Sequence, residues 1–274
     1  MNHYHNSHNS IVPFKNLSSQ NQLWYPTPFS ILRDSLATEI IAKLPKGSFL
    51  EIGIGPGGGM IPTLAQFGHH GLGIDISEEA VEYAARSISH RPHTISLAVK
   101  DFWTINDQFD LVIALDFLEH FEDDSAVLQK LHSLTKRGGI IILCVPAREK
   151  KWDETDKWAG HVRRYEKHTI IQKLSENNLS CETLWSFGFP LLNIAAYVRN
   201  YILAKQNRKN AYLESYDRSQ RTELSGITAL KKTSWRIFFN HFWLGPFTLL
   251  QKLFLRRDWG VSYMIKASPL TKDT

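Results

Sequence analysis

Cysteine is nearly absent: Cys144 and Cys181 are the two in 274 residues. That excludes a disulfide scaffold. Both lie in apolar runs that read as strands, where cysteine acts as a small buried hydrophobe. So little cysteine in a chain this long suits a reducing, cytoplasmic setting. Long apolar runs are lacking too. No uncharged stretch reaches the roughly 18–20 residues that a spanning helix needs. Residues 189–204 are interrupted by Arg199, and 241–255 by Gln251 and Lys252. The opening MNHYHNSHNS has no apolar core of a secretory signal. It reads as a disordered polar tail, with His3, His5 and His8 a loose metal-binding group only in second place. No set of His, Asp and Glu has convincing metal-ligand spacing along the chain, so no metal is expected.

What is present describes a globular protein: 43% hydrophobic residues, 12% aromatic, net charge +5. The length permits one large domain, or one domain with a cap. Charge is unevenly spread. Residues 1–145 carry ten Lys/Arg against fifteen Asp/Glu, and residues 146–274 carry twenty-two against twelve. A basic, aromatic second half suits an anionic acceptor, a lipid headgroup surface or a nucleic acid, or is simply a solvated face.

Apolar runs and amphipathic stretches alternate along the first two thirds. The spacing predicts a helix over 30–44 and strands over 48–54, 71–76, 93–100, 109–115 and 139–145. Between them it predicts a helix running to 67, one capped by Ser77, and one over 125–136. Strands this continuously apolar, alternating with helices, indicate βαβ units and a parallel sheet covered on both faces. Residues 146–168 are charged, aromatic and aperiodic, too long for an ordinary connection. A helix over 167–177 and a strand over 180–187 resume the pattern. Helical stretches around 191–204 and 235–255 precede a last strand at 260–266. The expected organisation is a flexible tail (1–28), an α/β core (29–189) with the insertion 146–168, a helical cap or lid (190–259), and the last strand with a C-terminal tail (260–274).

The stretch Phe49-Leu-Glu-Ile-Gly-Ile-Gly-Pro-Gly-Gly-Gly59 is a strand running into a tight turn. Gly53, Gly55 and Gly57 remove side chains where a ligand must approach the backbone, and the following helix aims free N–H groups at it. Gly53-x-Gly55-x-x-Gly58 also satisfies the dinucleotide pattern, so the glycines alone leave an NAD-dependent oxidoreductase open. Glu51 tilts the balance. A carboxylate there repels a pyrophosphate but suits the ammonium and sulfonium end of S-adenosylmethionine. Asp75, with Ile76 beside it, ends the next strand, where an acid accepts from both ribose hydroxyls. Asp101-Phe102 follows the third strand, the acid placed for an adenine amino group and the ring near the base.

With these motifs, and with Leu115-Asp-Phe-Leu-Glu-His120 and Gly138-Gly-Ile-Ile-Ile-Leu-Cys-Val-Pro146, the chain resembles the class I S-adenosylmethionine-dependent methyltransferases over about residues 44–187. The resemblance implies a doubly wound, mostly parallel seven-stranded sheet with an antiparallel last strand and a helical insertion before it. It implies S-adenosyl-L-methionine as cofactor, with Glu51 at the methionine amino group, Asp75 at the ribose and Asp101 at the adenine. A non-catalytic module that keeps the fold and binds a partner is the alternative. An intact cofactor motif argues against it.

Methyl transfer from a sulfonium is an in-line displacement, so the protein mainly aligns reactants and, for a hydroxyl acceptor, removes a proton. Three residues are candidate bases: Asp116 and His120 after the fourth strand, and His161 in Gly160-His-Val-Arg-Arg-Tyr165. The preference falls on His161. Arg163 and Arg164 are read either as partners of an anionic acceptor or as internal partners of the acids in 153–156. Residues 190–258, with Trp235, Phe242, Trp243 and Phe254 among Lys231, Arg256 and Arg257, suit either an interfacial helix touching a lipid-linked acceptor or a lid packed on the sheet, the second being preferred. The expected acceptor is a small-molecule, glycan or lipid-linked hydroxyl, with peripheral membrane contact compatible and the oligomeric state open. Nucleic acid is disfavoured: the Asn/Asp-Pro-Pro-aromatic motif of base amino-methylases is replaced by Leu115-Asp-Phe-Leu.

Overall fold

The computed structural model describes residues 10–11, 26–88, 92–205 and 241–270. Seven strands make the core sheet: β2 (Ser48–Ile52), β3 (His70–Asp75), β4 (Ile95–Val99), β5 (Phe109–Leu115), β6 (Thr135–Pro146), β7 (Leu179–Phe187) and β8 (Ser262–Pro269). Their spatial order is β4-β3-β2-β5-β6-β8-β7. Pairing is parallel from β4 across to β6, while β8 runs antiparallel to both β6 and β7. This is the expected sheet, with its antiparallel last strand. Within the expected tail, β1 (Ser10–Ile11) adds an antiparallel pair on the β4 edge.

Helices cover both faces because each has one apolar stripe to bury. On one face lie α1 (Pro28–Ile41), α2 (Ile61–Gln66) and α3 (Glu78–Ser87), through Leu32, Leu36, Leu64, Val81 and Ala84. On the other lie α4 (Asp124–Ser133) and α6 (Lys167–Glu176), through Val127, Leu128, Leu131, Ile170 and Leu174. All ten side chains are fully buried, and truncating any of the leucines to alanine costs about 2–5 kcal/mol. Local chemistry sets the ends. Thr27 and Ser30 form a capping box before Pro28, Ser77 accepts from Ala80, and Asp123 accepts from Ala126.

Boundaries differ from the sequence pattern where pairing overrides it. The helix expected to reach 136 ends at Ser133, because Thr135 already pairs with Phe109 and β6 starts there. The last strand runs to Pro269 because β7 gives it partners that far. The insertion is not wholly irregular: α5 (Glu154–Ala159) sits in it, capped by Asp153 and closed by Gly160. Beyond β7, α7 (Leu191–Lys205) and α8 (His241–Lys252) form the described part of the expected cap. Residues 235–240 of the expected helix lie outside the described residues. The inner face of α8 packs on α1: Gln251 donates to the Leu32 carbonyl (3.1 Å), and Lys252 pairs with Glu39 (2.7 Å). Among the described residues no helix is long and apolar enough to cross a membrane.

The chain leaves β2 toward β3 and β4, then returns to the other side of β2 as β5. The connections therefore part company at the carboxyl end of β2, where such sheets bind ligands.

Candidate active site

Every candidate site residue read from the sequence falls at or over the carboxyl edge of the sheet. Glu51 sits in β2 and is buried; its Oε1 accepts from the Met60 amide (2.7 Å). Its Oε2 is equally buried and has no hydrogen-bond partner. Burial, offset only in part by the Met60 bond, pushes this carboxyl up to about 8. The turn between Glu51 and α2 wraps around it. Left-handed backbone falls at Gly53, Gly55, Gly58 and Gly59, and not at Gly57. Gly59 is required twice over: its φ is 51°, and a Cβ there would stand 2.1 Å from Glu51 Oε1. At Gly55 a Cβ would meet nothing within 4 Å, so the turn is open there.

Asp75 bridges the turn and the next helix, accepting from Gly55 N–H (2.9 Å) and Ser77 N–H (3.0 Å). Ile76 beside it is 70% exposed. Asp101 accepts from the Trp103 amide (3.0 Å) and caps a short 3-10 turn, Phe102–Thr104. Phe102 is packed inward against Phe117 and Phe121, so the exposed ring at this corner is Trp103. These residues fit S-adenosylmethionine on three observations: an orphaned, buried carboxylate oxygen, an open glycine turn, and acids at the ends of β3 and β4.

On the other side, Asp116 follows β5 with φ 52° and pairs with Arg33 of α1 (2.6 Å). An ion-paired carboxylate is a weaker base candidate than the imidazoles behind it. The 3-10 turn Leu118–His120 then carries Glu119, fully buried, and His120. The insertion folds down onto this turn, Val162 donating to the Glu119 carbonyl (2.9 Å). That contact brings His161 against His120, ring centroids 5.0 Å apart, and its Nε2 to 3.7 Å from Glu119 Oε1. His161 Nδ1 lies 2.9 Å from Asp156 Oδ1. Burial opposes ionisation of Asp156, but hydrogen bonds with His161 and from Arg164 outweigh it and hold the carboxyl below its usual range.

Both arginines of the Gly-His-x-Arg-Arg-Tyr stretch are spent internally. Arg164 Nε reaches both Asp156 oxygens at 2.9 Å. Arg163 pairs with Asp124 (2.9 Å), which also takes Lys173 (2.7 Å) and the Tyr165 hydroxyl (3.1 Å). Arg164 thus pairs within the acids of 153–156, while Arg163 is paired internally with Asp124 instead of with those acids.

Sequence reasoning missed three residues as site members. Glu119 stood in a quoted motif next to His120, and its adjacency was the available signal. Asp156 sat among the acids assigned to the insertion. Arg33 gave no signal, since its partner is 83 positions away.

The sheet order, the glycine turn and the acids at the strand ends define a class I methyltransferase fold. A family model for the methyltransferase domain matches residues 30–192, more than half of the chain, and the chain belongs to that family. The resemblance read from the sequence is thereby borne out. Over 117 residues, 40% of this chain and 49% of the relative, it is 31% identical to a ubiquinone biosynthesis O-methyltransferase of Pseudomonas aeruginosa (strain UCBPP-PA14). Over 122 residues, 43% and 28%, it is 24% identical to phosphoethanolamine N-methyltransferase 2 of Caenorhabditis elegans. The chain thus spans about a quarter to a half of the length of the curated relatives it matches. The crystal structure of Haemonchus contortus phosphoethanolamine N-methyltransferase 2 with S-adenosyl-L-methionine superposes with a TM-score of 0.53 at 15% identity, over 86% of this chain and 52% of that one. That likeness shows the shared fold.

Proposed function

We propose that this methyltransferase uses S-adenosylmethionine to methylate a hydroxyl oxygen of a small-molecule, glycan or lipid-linked acceptor. When bound, the cofactor supplies an electrophilic methyl group on a sulfonium. Glu51 binds its ammonium, Asp75 its ribose hydroxyls and Asp101 its adenine, with Ile76 and Trp103 covering the base. The observation that carries the oxygen reading is the Asp156–His161 dyad at the end of β5. A hydroxyl must lose a proton as it attacks. His161 is oriented by Asp156 and turns Nε2 toward the β5 side, as a general base requires. Asp156 holds the tautomer and stabilises the imidazolium that forms.

An apolar-tailed acceptor is favoured by the outer faces of α7 and α8, where Ile194, Tyr197, Phe242, Trp243 and Leu249 are exposed, and by the turn after α8, where Leu253 is exposed and followed by exposed Arg256 and Arg257. The test is transfer of labelled methyl to a panel of hydroxyl, amine and thiol acceptors. His161→Ala is expected to lower turnover by about 10²–10⁴ while leaving S-adenosylhomocysteine affinity unchanged. Near-normal turnover removes His161 from the mechanism, and transfer to amines alone overturns the oxygen reading.

A further inference from the structure

The Glu119–His120–His161 cluster holds more than a base requires. One ligand atom from each of the three lies within 4.8 Å of the others. The Glu119 side chain is 1% exposed, and neither of its oxygens has a hydrogen-bond partner from another residue. A fully buried carboxylate without a donor is expensive, and proteins resolve it by pairing, protonation or metal coordination. His161 Nε2 stands 3.7 Å from Glu119 Oε1, too far to be a hydrogen bond. That separation is close to the distance between two ligands of one ion. Bonds of about 2.0–2.1 Å at tetrahedral angles put neighbouring ligands about 3.3 Å apart.

The surroundings repeat the pattern of a metal site. A metal-bound histidine almost always gives its other ring nitrogen to a carboxylate. Asp156 Oδ1 occupies that place on His161 Nδ1 at 2.9 Å, and it is fixed in turn by both Arg164 contacts and the Asp153 amide (2.9 Å). The imidazole is thus oriented with Nε2 facing Glu119. The second histidine stands edge to face with the first.

We infer that Glu119, His120 and His161 bind one divalent transition-metal ion, of the zinc or manganese kind, at the carboxyl end of β5. Two imidazoles and one carboxylate suit such ions and disfavour magnesium, which prefers oxygen and water. Three protein ligands leave positions open for an acceptor oxygen, whose acidity a bound ion raises. The inference rests on the preceding reading of this cluster as the place where the acceptor is activated. It changes the part of His161, which is a ligand in the loaded form and a proton acceptor in the empty one.

The test is calorimetric titration of the chelator-stripped 274-residue chain with zinc, manganese and magnesium chlorides, together with thermal melts with and without each ion. The chain's His3, His5 and His8 are replaced by alanine throughout to remove a competing group. One zinc or manganese ion per chain is expected, with a raised melting temperature. Asp156→Asn should weaken it 10–100-fold, and Glu119→Gln should abolish it. Glu119→Gln separates the metal role from a structural one. Removing a stranded buried carboxylate should hold or raise the melting temperature of the metal-free protein while cancelling the rise on adding zinc. No stoichiometric zinc or manganese, or equal affinity in Glu119→Gln, overturns the metal site. Loss of activity in His161→Ala without any metal binding leaves the base reading standing alone. Metal binding without methyl transfer to any hydroxyl leaves the site and removes the acceptor reading.

Discussion

The two sides of the sheet's carboxyl edge are held together by different means. On the proposed cofactor side the contacts named go to backbone and none spans more than 20 positions: Glu51 to the Met60 amide, Asp75 to those of Gly55 and Ser77, Asp101 to that of Trp103. On the acceptor side they are side chain to side chain, and several span long stretches of chain. Arg33 reaches Asp116, Arg163 and Lys173 converge on Asp124, and Arg164 and His161 share Asp156. A turn built on backbone amides keeps its shape when outward side chains change. A buried ionic net has no such tolerance, because each member removed leaves a charge uncompensated.

The sharpest way to break this comparison is Asp156→Ala. It strands Arg164, whose side chain is 12% exposed, and releases His161. A loss of about 3–5 kcal/mol in urea unfolding is expected, together with the loss of turnover. A cost below about 1 kcal/mol would mean the net is not what seats the insertion.

Asp75→Ala should act in the opposite sense, costing the fold little and the ligand much. The Gly55 and Ser77 amides lose an acceptor, but the turn is open at Gly55. On the proposed reading the ribose loses its carboxylate partner. Calorimetric titration with S-adenosylhomocysteine should show affinity reduced about 10–100-fold, or about 1.4–2.7 kcal/mol, with the fold intact by circular dichroism. An unchanged dissociation constant takes Asp75 out of the site.

The same difference explains what could be read from the sequence. The cradle is contiguous: Glu51 to Gly59 and Asp75 announce themselves because strand, turn and cap chemistry are local. Which of the neighbours Phe102 and Trp103 faces inward is not legible locally, because it is decided by Phe117 and Phe121 from the next loop. The acceptor cluster joins residues 119–120 to residue 161 across a helix, a strand and an irregular insertion. No spacing rule along the chain could show Glu119, His120 and His161 meeting. Helix and strand ends missed by a few residues have a similar cause: β8 is extended by its pairing with β7, a tertiary fact.

Glu51 sharpens the comparison most finely, since among the described residues it is the buried carboxylate of the glycine turn. In the folded, ligand-free chain its carboxyl keeps its proton up to about 8, whereas in the unfolded chain it loses it near the ordinary value of 4.5. Between those values the folded state binds more protons than the unfolded state, so this group makes stability fall as pH rises, and the loss is complete above about 8. The slope is at most about 1.4 kcal/mol per pH unit. Glu51→Gln carries no such proton. Its urea midpoint should hold steady relative to the native chain's between pH 5 and 8, leaving the variant the more stable of the two at pH 8. Cofactor binding should move the other way. An ammonium beside Glu51 Oε2 favours the ionised form, so binding below pH 8 expels a proton, detectable as a buffer-dependent heat, and Glu51→Gln should bind more weakly and without that term. Parallel midpoints in the two proteins would mean that Glu51 is already paired in the absence of ligand, and that the cradle is held by charge as the acceptor side is.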